Sequence, residues 1–252
     1  MELILSVDSL DVIFGGLAAL KDVGFTIQKG VIKSLIGPNG AGKSTMLNVI
    51  TGVIQSTKGD IHFYGKRING LAAHKISRLG ISRTFQHVET FAKMSVLENV
   101  MVGCHSHMSA NLLTSGLSLF NVRREEDRVK NEALALLDFV GLLDKKYQEA
   151  SSLPIGEQRI LEIARALATR PKLLCLDEPA AGLNESDTNQ FSILVREIKK
   201  KGISILLIEH DMKLVMKISD ELTVLNYGQK IAEGTPIEIQ NDPVVHEAYL
   251  GG

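Results

Sequence analysis

The sequence predicts an α/β fold: a phosphate-binding core on a parallel sheet, an antiparallel β-subdomain before it and a helical insert within it. Three observations predict this. Gly37-Pro38-Asn39-Gly40-Ala41-Gly42-Lys43-Ser44-Thr45 fits the phosphate-loop pattern of Gly, four residues, then Gly-Lys-Ser/Thr. Residues 3–30 read as short antiparallel strands. From residue 160 onward, helical and strand patterns alternate, which is the logic of a parallel sheet.

Each element follows in turn. Leu5-Ser6-Val7, Val12-Ile13-Phe14 and Val23-Gly24-Phe25-Thr26-Ile27 alternate apolar and polar residues, as half-buried strands do. Val31 to Ile36 reads as a short buried strand, and Met46 to Ile50 continues as a helix with apolar residues on one side. A glycine-rich turn between such elements aims backbone N–H groups and a helix N-terminus at one point. That point suits the β-phosphate of a nucleotide. Lys43 then reaches the β- and γ-phosphates, and the Ser44 hydroxyl ligates Mg²⁺. A turn that merely connected two elements would not need Lys and Ser after its second Gly.

Ile61-His62-Phe63-Tyr64 looks like a strand after a Gly59-Asp60 turn, and Ile81 to Phe85 like another. Gln86 follows it, a neutral amide able to ligate Mg²⁺ and a water. Residues 88–150 change character. Glu98 to Met101 and Glu125 to Leu143 show helical spacing, with Val129, Ala133, Leu136, Leu137 and Val140 on one face. Residues 103–121 between them, rich in Gly, Ser, His and Asn, fit either a long loop or a short helix. Ile160 to Ala168, Leu173 to Leu176, Phe191 to Lys199 and Ile203 to Ile208 then read helix, strand, helix, strand.

Two of these strands end in chemistry. A buried parallel strand delivers its C-terminal residues to the ligand edge of the sheet. Leu173-Leu174-Cys175-Leu176 ends in Asp177 and Glu178, the first suited to Mg²⁺ and the second to polarising an attacking water. Ile203 to Ile208 ends in Glu209 and His210, which places His210 within reach of a γ-phosphate or that water. The other six histidines are expected to be structural.

Bulk composition narrows the classes. With 252 residues, the chain is one large domain or a core with a subdomain, and can bury a sizeable core. Apolar residues at 44% and charged residues at 23% are ordinary for a globular protein. The 28 basic and 29 acidic residues leave a net charge of -1, so no field draws in a polyanion and no nucleic-acid partner is expected. Cys104 and Cys175 form no disulfide framework and suit a reducing cytosol; Cys175 is expected to be a small buried apolar residue. Glu2, Asp8 and Asp11 stand where a signal peptide would be basic and then apolar, so none is expected. No apolar run approaches the roughly 18–20 residues that span a bilayer.

Taken together, these residues resemble the nucleotide-binding subunit of an ATP-binding-cassette (ABC) transporter. Walker A lies at 37–45, a glutamine loop at Gln86, a signature at Leu153-Pro154-Ile155-Gly156-Glu157-Gln158, Walker B at 173–178 and a switch histidine at His210. The match spans nearly the whole chain. Phe14-Gly15-Gly16-Leu17-Ala18-Ala19-Leu20, Arg83-Thr84-Phe85-Gln86, Leu161 to Leu167, Glu178 to Asn184 and the tail Asp242 to Gly251 resemble one branch, the high-affinity branched-chain amino-acid importers.

The resemblance implies a RecA-like P-loop core with a parallel sheet, an N-terminal antiparallel β-subdomain and an inserted α-helical subdomain. All of 1–252 is then one ABC ATPase domain, with about 1–87 and 161–252 as core and about 88–160 as helical subdomain. It implies ATP and Mg²⁺, with Phe14 stacked on adenine beside the Walker A residues; a strand Phe in the core is the alternative. Glu178, His210 and Gln86 would be catalytic, and Ser44, Gln86 and Asp177 would hold the metal. The signature, opening a helix over 157–168, would bind the γ-phosphate of ATP on the opposite subunit. It departs from the common Leu-Ser-Gly-Gly-Gln at Pro154, Ile155 and Glu157, losing a serine hydroxyl at a cost on the order of 1 kcal/mol. Asn184 replaces the more usual Asp of the loop crossing the dimer interface.

The implied partners are a second ABC ATPase subunit (heterodimer or homodimer), two membrane permease subunits and, indirectly, an extracytoplasmic solute-binding protein. ATP would favour the closed dimer, since only that state makes both sets of contacts. Residues 87–102, with Phe91, Met94 and Val96, would form the groove for a coupling helix of the membrane subunit; core packing is the alternative for Phe91 and Met94. Arg83 would pair with a partner's acid. The implied location is peripheral, at the cytoplasmic face of the inner membrane. The implied function is powering uptake of branched-chain amino acids. Cassettes for urea, short amides or lipopolysaccharide export are alternatives, as are a non-transport cassette ATPase and a regulatory switch, against which the Glu178 carboxylate argues.

Overall fold

The computed structural model describes residues 2–84, 89–105 and 119–250. Phe85, Gln86, Gly251 and residues 106–118 of the 103–121 segment therefore lie outside the described residues, while the ends of that segment belong to helices. The chain divides into two compact units, Met1–Arg83 with Lys172–Gly252, and Thr84–Pro171.

The first unit holds two sheets. β1 (Leu3–Phe14), β2 (Leu17–Gln28), β4 (Lys58–Phe63) and β5 (Lys66–Arg67) form an antiparallel sheet in the order β2-β1-β4-β5. The short runs expected over 3–30 fuse into two twelve-residue strands, because register shifts along β1 absorb the breaks in alternation. Gly59 and Asp60 do not make a turn. Both lie inside β4, where Asp60 pairs with Asp8, and a slip of register between Asp8 and Asp11 accommodates them.

The second sheet is the core. β3 (Ile32–Ile36), β6 (Ile81–Arg83), β7 (Leu173–Asp177), β8 (Ser204–Ile208), β9 (Glu221–Asn226) and β10 (Gln229–Gly234) run in the order β10-β9-β3-β8-β7-β6. All neighbours are parallel except the β9–β10 hairpin. β3, β7 and β8 are buried at every position, which is why their sequences read as continuous apolar runs. Helices α1 (Lys43–Ile50), α2 (Ala73–Leu79), α6 (Glu185–Lys200), α7 (Met212–Ile218), α8 (Pro236–Gln240) and α9 (Pro243–Leu250) complete this unit. α6 starts six residues before the expected Phe191 because Asn184 caps it: its side chain accepts the Asp187 N–H at 2.9 Å.

The second unit is helical. α3 (Val96–Cys104), α4 (Leu119–Phe139) and α5 (Ile155–Ala168) enclose a core that includes Val96, Val100, Val129, Ala133, Leu137, Leu161 and Ala164. The expected face of α4 is the buried one at Val129, Ala133 and Leu137, with Leu136 at its margin and Val140 just past the helix end, both only partly buried. α4 stops at Phe139 rather than Leu143, and a short 3-10 turn over Leu143–Lys145 follows. A capping box starts α3: the Ser95 hydroxyl accepts the Glu98 N–H, and the Glu98 carboxylate accepts the Ser95 N–H.

Candidate functional site

The ligand edge of the parallel sheet gathers the phosphate loop and the ends of β7 and β8. The loop runs from β3 into α1, with Asn39, Gly40 and Ser44 exposed and Gly37 and Lys43 buried. Two of its glycines are obligatory. A Cβ on Gly37 (φ 146) would sit 2.0 Å from the Leu225 carbonyl oxygen, and one on Gly42 (φ 101) would sit 2.8 Å from the Ala19 carbonyl oxygen. With both in place the chain turns tightly, and α1 begins at Lys43 with its first N–H groups aimed outward.

Lys43 is 6% exposed, and its ammonium donates to the carbonyls of Gly37 (2.7 Å) and Pro38 (3.0 Å). Burial lowers its pKa, opposed by the carboxylates of Glu178 and Asp177. Both carboxylates thus lie near enough to the phosphate-loop lysine to favour its charged form. Phe14 lies half-exposed at the end of β1, so the alternative of a strand Phe in the core does not hold. Thr45 is partly buried, and Ala41 is buried in the core of the first unit.

Asp177 ends β7 almost fully buried. One carboxylate oxygen, Oδ2, accepts from the Arg83 guanidinium at 2.7 Å; the other, Oδ1, is buried with no hydrogen-bond partner. An orphaned carboxylate oxygen beside a phosphate loop fits a divalent cation or its water, so the residues present suit Mg²⁺. Among the described residues no group of three or more His, Cys, Asp or Glu forms a metal cluster. Arg83 does not await a partner's acid: its charge is taken up within the chain by Asp177.

Glu178 has a φ of 46°, in the left-handed region, and its side chain is partly buried. His210 is exposed, with Nδ1 4.0 Å from a Glu178 oxygen and 4.0 Å from a Glu209 oxygen. Sequence reasoning passed over Glu209. Its buried carboxylate accepts the Ala180 N–H (2.7 Å) and the His210 N–H (3.1 Å), joining the loop after Glu178 to the loop that carries His210. Burial raises the Glu209 pKa, and the backbone N–H groups of Ala180, His210 and Asp211 only partly offset it. The available signal was an acid at the end of an apolar strand. Tyr249 on α9 is 37% exposed as a residue, yet partial desolvation of its phenol pushes the pKa up to about 12, opposed by a hydrogen bond with the Gly37 backbone.

The signature segment belongs to the helical unit. α5 begins at Ile155, two residues before the expected 157, with Pro154 as its N-cap residue. Pro154 and Ile155 are exposed, and Leu153 and Gly156 are buried. Glu157 is taken by Lys145, whose Nζ lies 2.5 Å from each carboxylate oxygen. Gln158 donates to the Leu153 carbonyl at 2.8 Å, and its own N–H to that of Pro154. Phe91 and Met94 are substantially exposed, so they are not core residues, whereas Val96 is fully buried and cannot face a groove. The Arg165 guanidinium lies 5.3 Å from the centre of the Phe91 ring.

Known proteins resemble this chain. Residues 20–181 match the family model described as ABC transporter, and residues 229–252 match that of the branched-chain amino acid ATP-binding cassette transporter. The chain is 44% identical over 249 residues to the high-affinity branched-chain amino acid transport ATP-binding protein BraF of Pseudomonas aeruginosa, covering 98% of both. It is 45% identical to LivG, of the same description, from Escherichia coli K12, again over 98% of both. The crystal structure of the ADP conformation of an ATP-binding cassette of an ABC transporter superposes with a TM-score of 0.86 at 34% identity, covering all of both chains.

Proposed function

The chain belongs to the ABC transporter family as one of its ATPases, and we propose that it powers an importer of branched-chain amino acids. The supporting observation is its 44–45% identity, over 98% of both chains, to ATP-binding proteins described as branched-chain amino acid transport components. The match of residues 229–252 to a model specific to such cassettes adds to it.

In this reading Phe14 offers its exposed face to adenine, and the phosphate loop cradles the β-phosphate with the N–H groups that open α1. Lys43 exchanges loop carbonyls for phosphate oxygens. Ser44 and Asp177 would hold Mg²⁺, with Gln86 as a further ligand; when bound, the cation neutralises charge on the β- and γ-phosphates. Glu178 accepts the proton of the attacking water and aims it at the γ-phosphorus. His210, the switch residue, holds the γ-phosphate or that water beside Glu178.

Leu153 to Gln158 approach ATP bound to the opposite cassette, with backbone groups at the start of α5 as the donors. Glu157, already paired with Lys145, supports this segment rather than touching phosphate. The partners are a second ATPase subunit, two membrane permeases and, through them, a solute-binding protein outside. Among the described residues no helix is long and apolar enough to cross a membrane. In this reading the permeases hold the chain at the cytoplasmic face. Exposed Phe91 and Met94 are the apolar contacts offered to them.

The test is a pull-down of the tagged protein from its native membranes, with every co-purifying subunit identified by mass spectrometry. Two different permeases and a second cassette are expected. Recovery of the protein alone, or with ribosomes or DNA-repair factors, would overturn the transporter assignment.

A further inference from the structure

Arg83 is the last residue of β6, beside β7 in the parallel sheet, three residues before Gln86. Its guanidinium makes a fork. Nη2 donates to Asp177 Oδ2 at 2.7 Å, and Nη1 donates to Asn48 Oδ1 at 2.6 Å, with Thr51 Oγ1 at 3.4 Å. Arg83 and Asp177 are 11% and 3% exposed at their side chains. Asn48 lies on α1, four residues after Ser44, so the two share one helix face.

One planar cation therefore bridges the helix that carries Ser44 and the strand end that carries Asp177. It holds Asp177 by one oxygen only and leaves Oδ1, buried and without a hydrogen bond, for another donor. Bidentate geometry of this kind is specific to arginine; a lysine reaches one of the two acceptors as a point charge but not both at fixed spacing.

We propose that Arg83 is a positioning residue for the divalent cation: it fixes the Asp177 carboxylate relative to the α1 face that carries Ser44. It touches neither nucleotide nor metal. The proposal rests on Asp177 and Ser44 holding that cation, as above. Groups that orient a metal ligand commonly change metal affinity by about 10–100-fold when removed, so the effect is readable in binding without turnover.

The experiment measures ATP binding to the full-length chain by calorimetry, once in EDTA and once with excess Mg²⁺. The quantity read is the ratio of the two dissociation constants. Arg83→Met and Arg83→Lys are both expected to lower this ratio about tenfold while the constant in EDTA stays within about twofold of the parent. Asp177→Asn should lower it at least as far. Retention of the full ratio by Arg83→Lys would overturn the proposal, because charge alone would then suffice. An equal loss of affinity in EDTA and in Mg²⁺ would overturn it too, showing only general damage. If Asp177→Asn keeps the parent ratio, the assignment of Asp177 to the metal fails and the proposal with it. Should Arg83→Met not fold, the lysine variant decides alone.

Discussion

Replacing Asn99 tests how the segment before α3 is built. Asn99 is fully buried on that helix. Its Oδ1 accepts the Phe91 N–H at 2.8 Å, and its Nδ2 faces the carbonyls of Phe91 (3.1 Å), Ser95 (3.0 Å) and Met94 (3.4 Å). An amide has two hydrogens for those three carbonyls, so the side chain supplies three good bonds at most. At a net of about 1 kcal/mol each they contribute about 3 kcal/mol. Water reaching the Phe91 peptide, whose ring is half-exposed, reduces the loss in Asn99→Ala to about 2 kcal/mol. Asn99→Asp should cost more than Asn99→Ala: it keeps the acceptor for Phe91 but turns a buried carboxylate towards three carbonyl oxygens. Urea unfolding followed by far-ultraviolet circular dichroism measures both. A cost under about 0.5 kcal/mol for Asn99→Ala, or an aspartate variant as stable as the parent, would refute this account of the loop.

Three further outcomes are expected. Pro154→Ser restores a hydroxyl at the N-cap of α5 and should raise ATP turnover of the assembled complex; unchanged or lower turnover would show that the hydroxyl is not what the signature lacks. Burial pushes the thiols of Cys104 and Cys175 up to about 11 and about 12, so neither should react with a thiol reagent at pH 8 in the folded chain, and both should in urea; rapid labelling of folded protein would contradict the burial. Burial works to raise the Glu233 carboxyl, but hydrogen bonds from Lys230 and Lys33 outweigh it and hold its pKa low. Its stabilisation is therefore present above the unfolded carboxylate range and lost as pH falls through the lower folded value. Melting temperatures from pH 7 downward should fall less for Glu233→Gln than for the parent; equal slopes would rule the pair out as a source of acid lability.

Local signals made the core legible. The phosphate loop, the apolar strands and the acids and histidine at their ends all lie within a few consecutive residues, and a parallel sheet puts strand ends at one edge regardless of detail. The exposure of Phe14 did not follow from its sequence, since a Phe at a strand end can face either way. The Arg83–Asp177 pair was not legible either, because it depends on β6 lying beside β7, a register that neither sequence states. Boundaries shifted wherever a cap went unread. Ser95 and Glu98 stand three apart, as a capping box requires, and Asn184 capped α6 where only a departure from the usual Asp had been noticed. Glu157 looked like a phosphate-facing signature residue until Lys145, twelve positions earlier, proved to hold it.

The left-handed backbone at Glu178 sets foldability against chemistry. For a side chain with a Cβ, that region costs about 1 kcal/mol relative to glycine. Glu178→Gly should therefore relieve backbone strain while removing the carboxylate that the proposed mechanism uses to activate water, and a cassette carrying glycine there would hold nucleotide without turning it over.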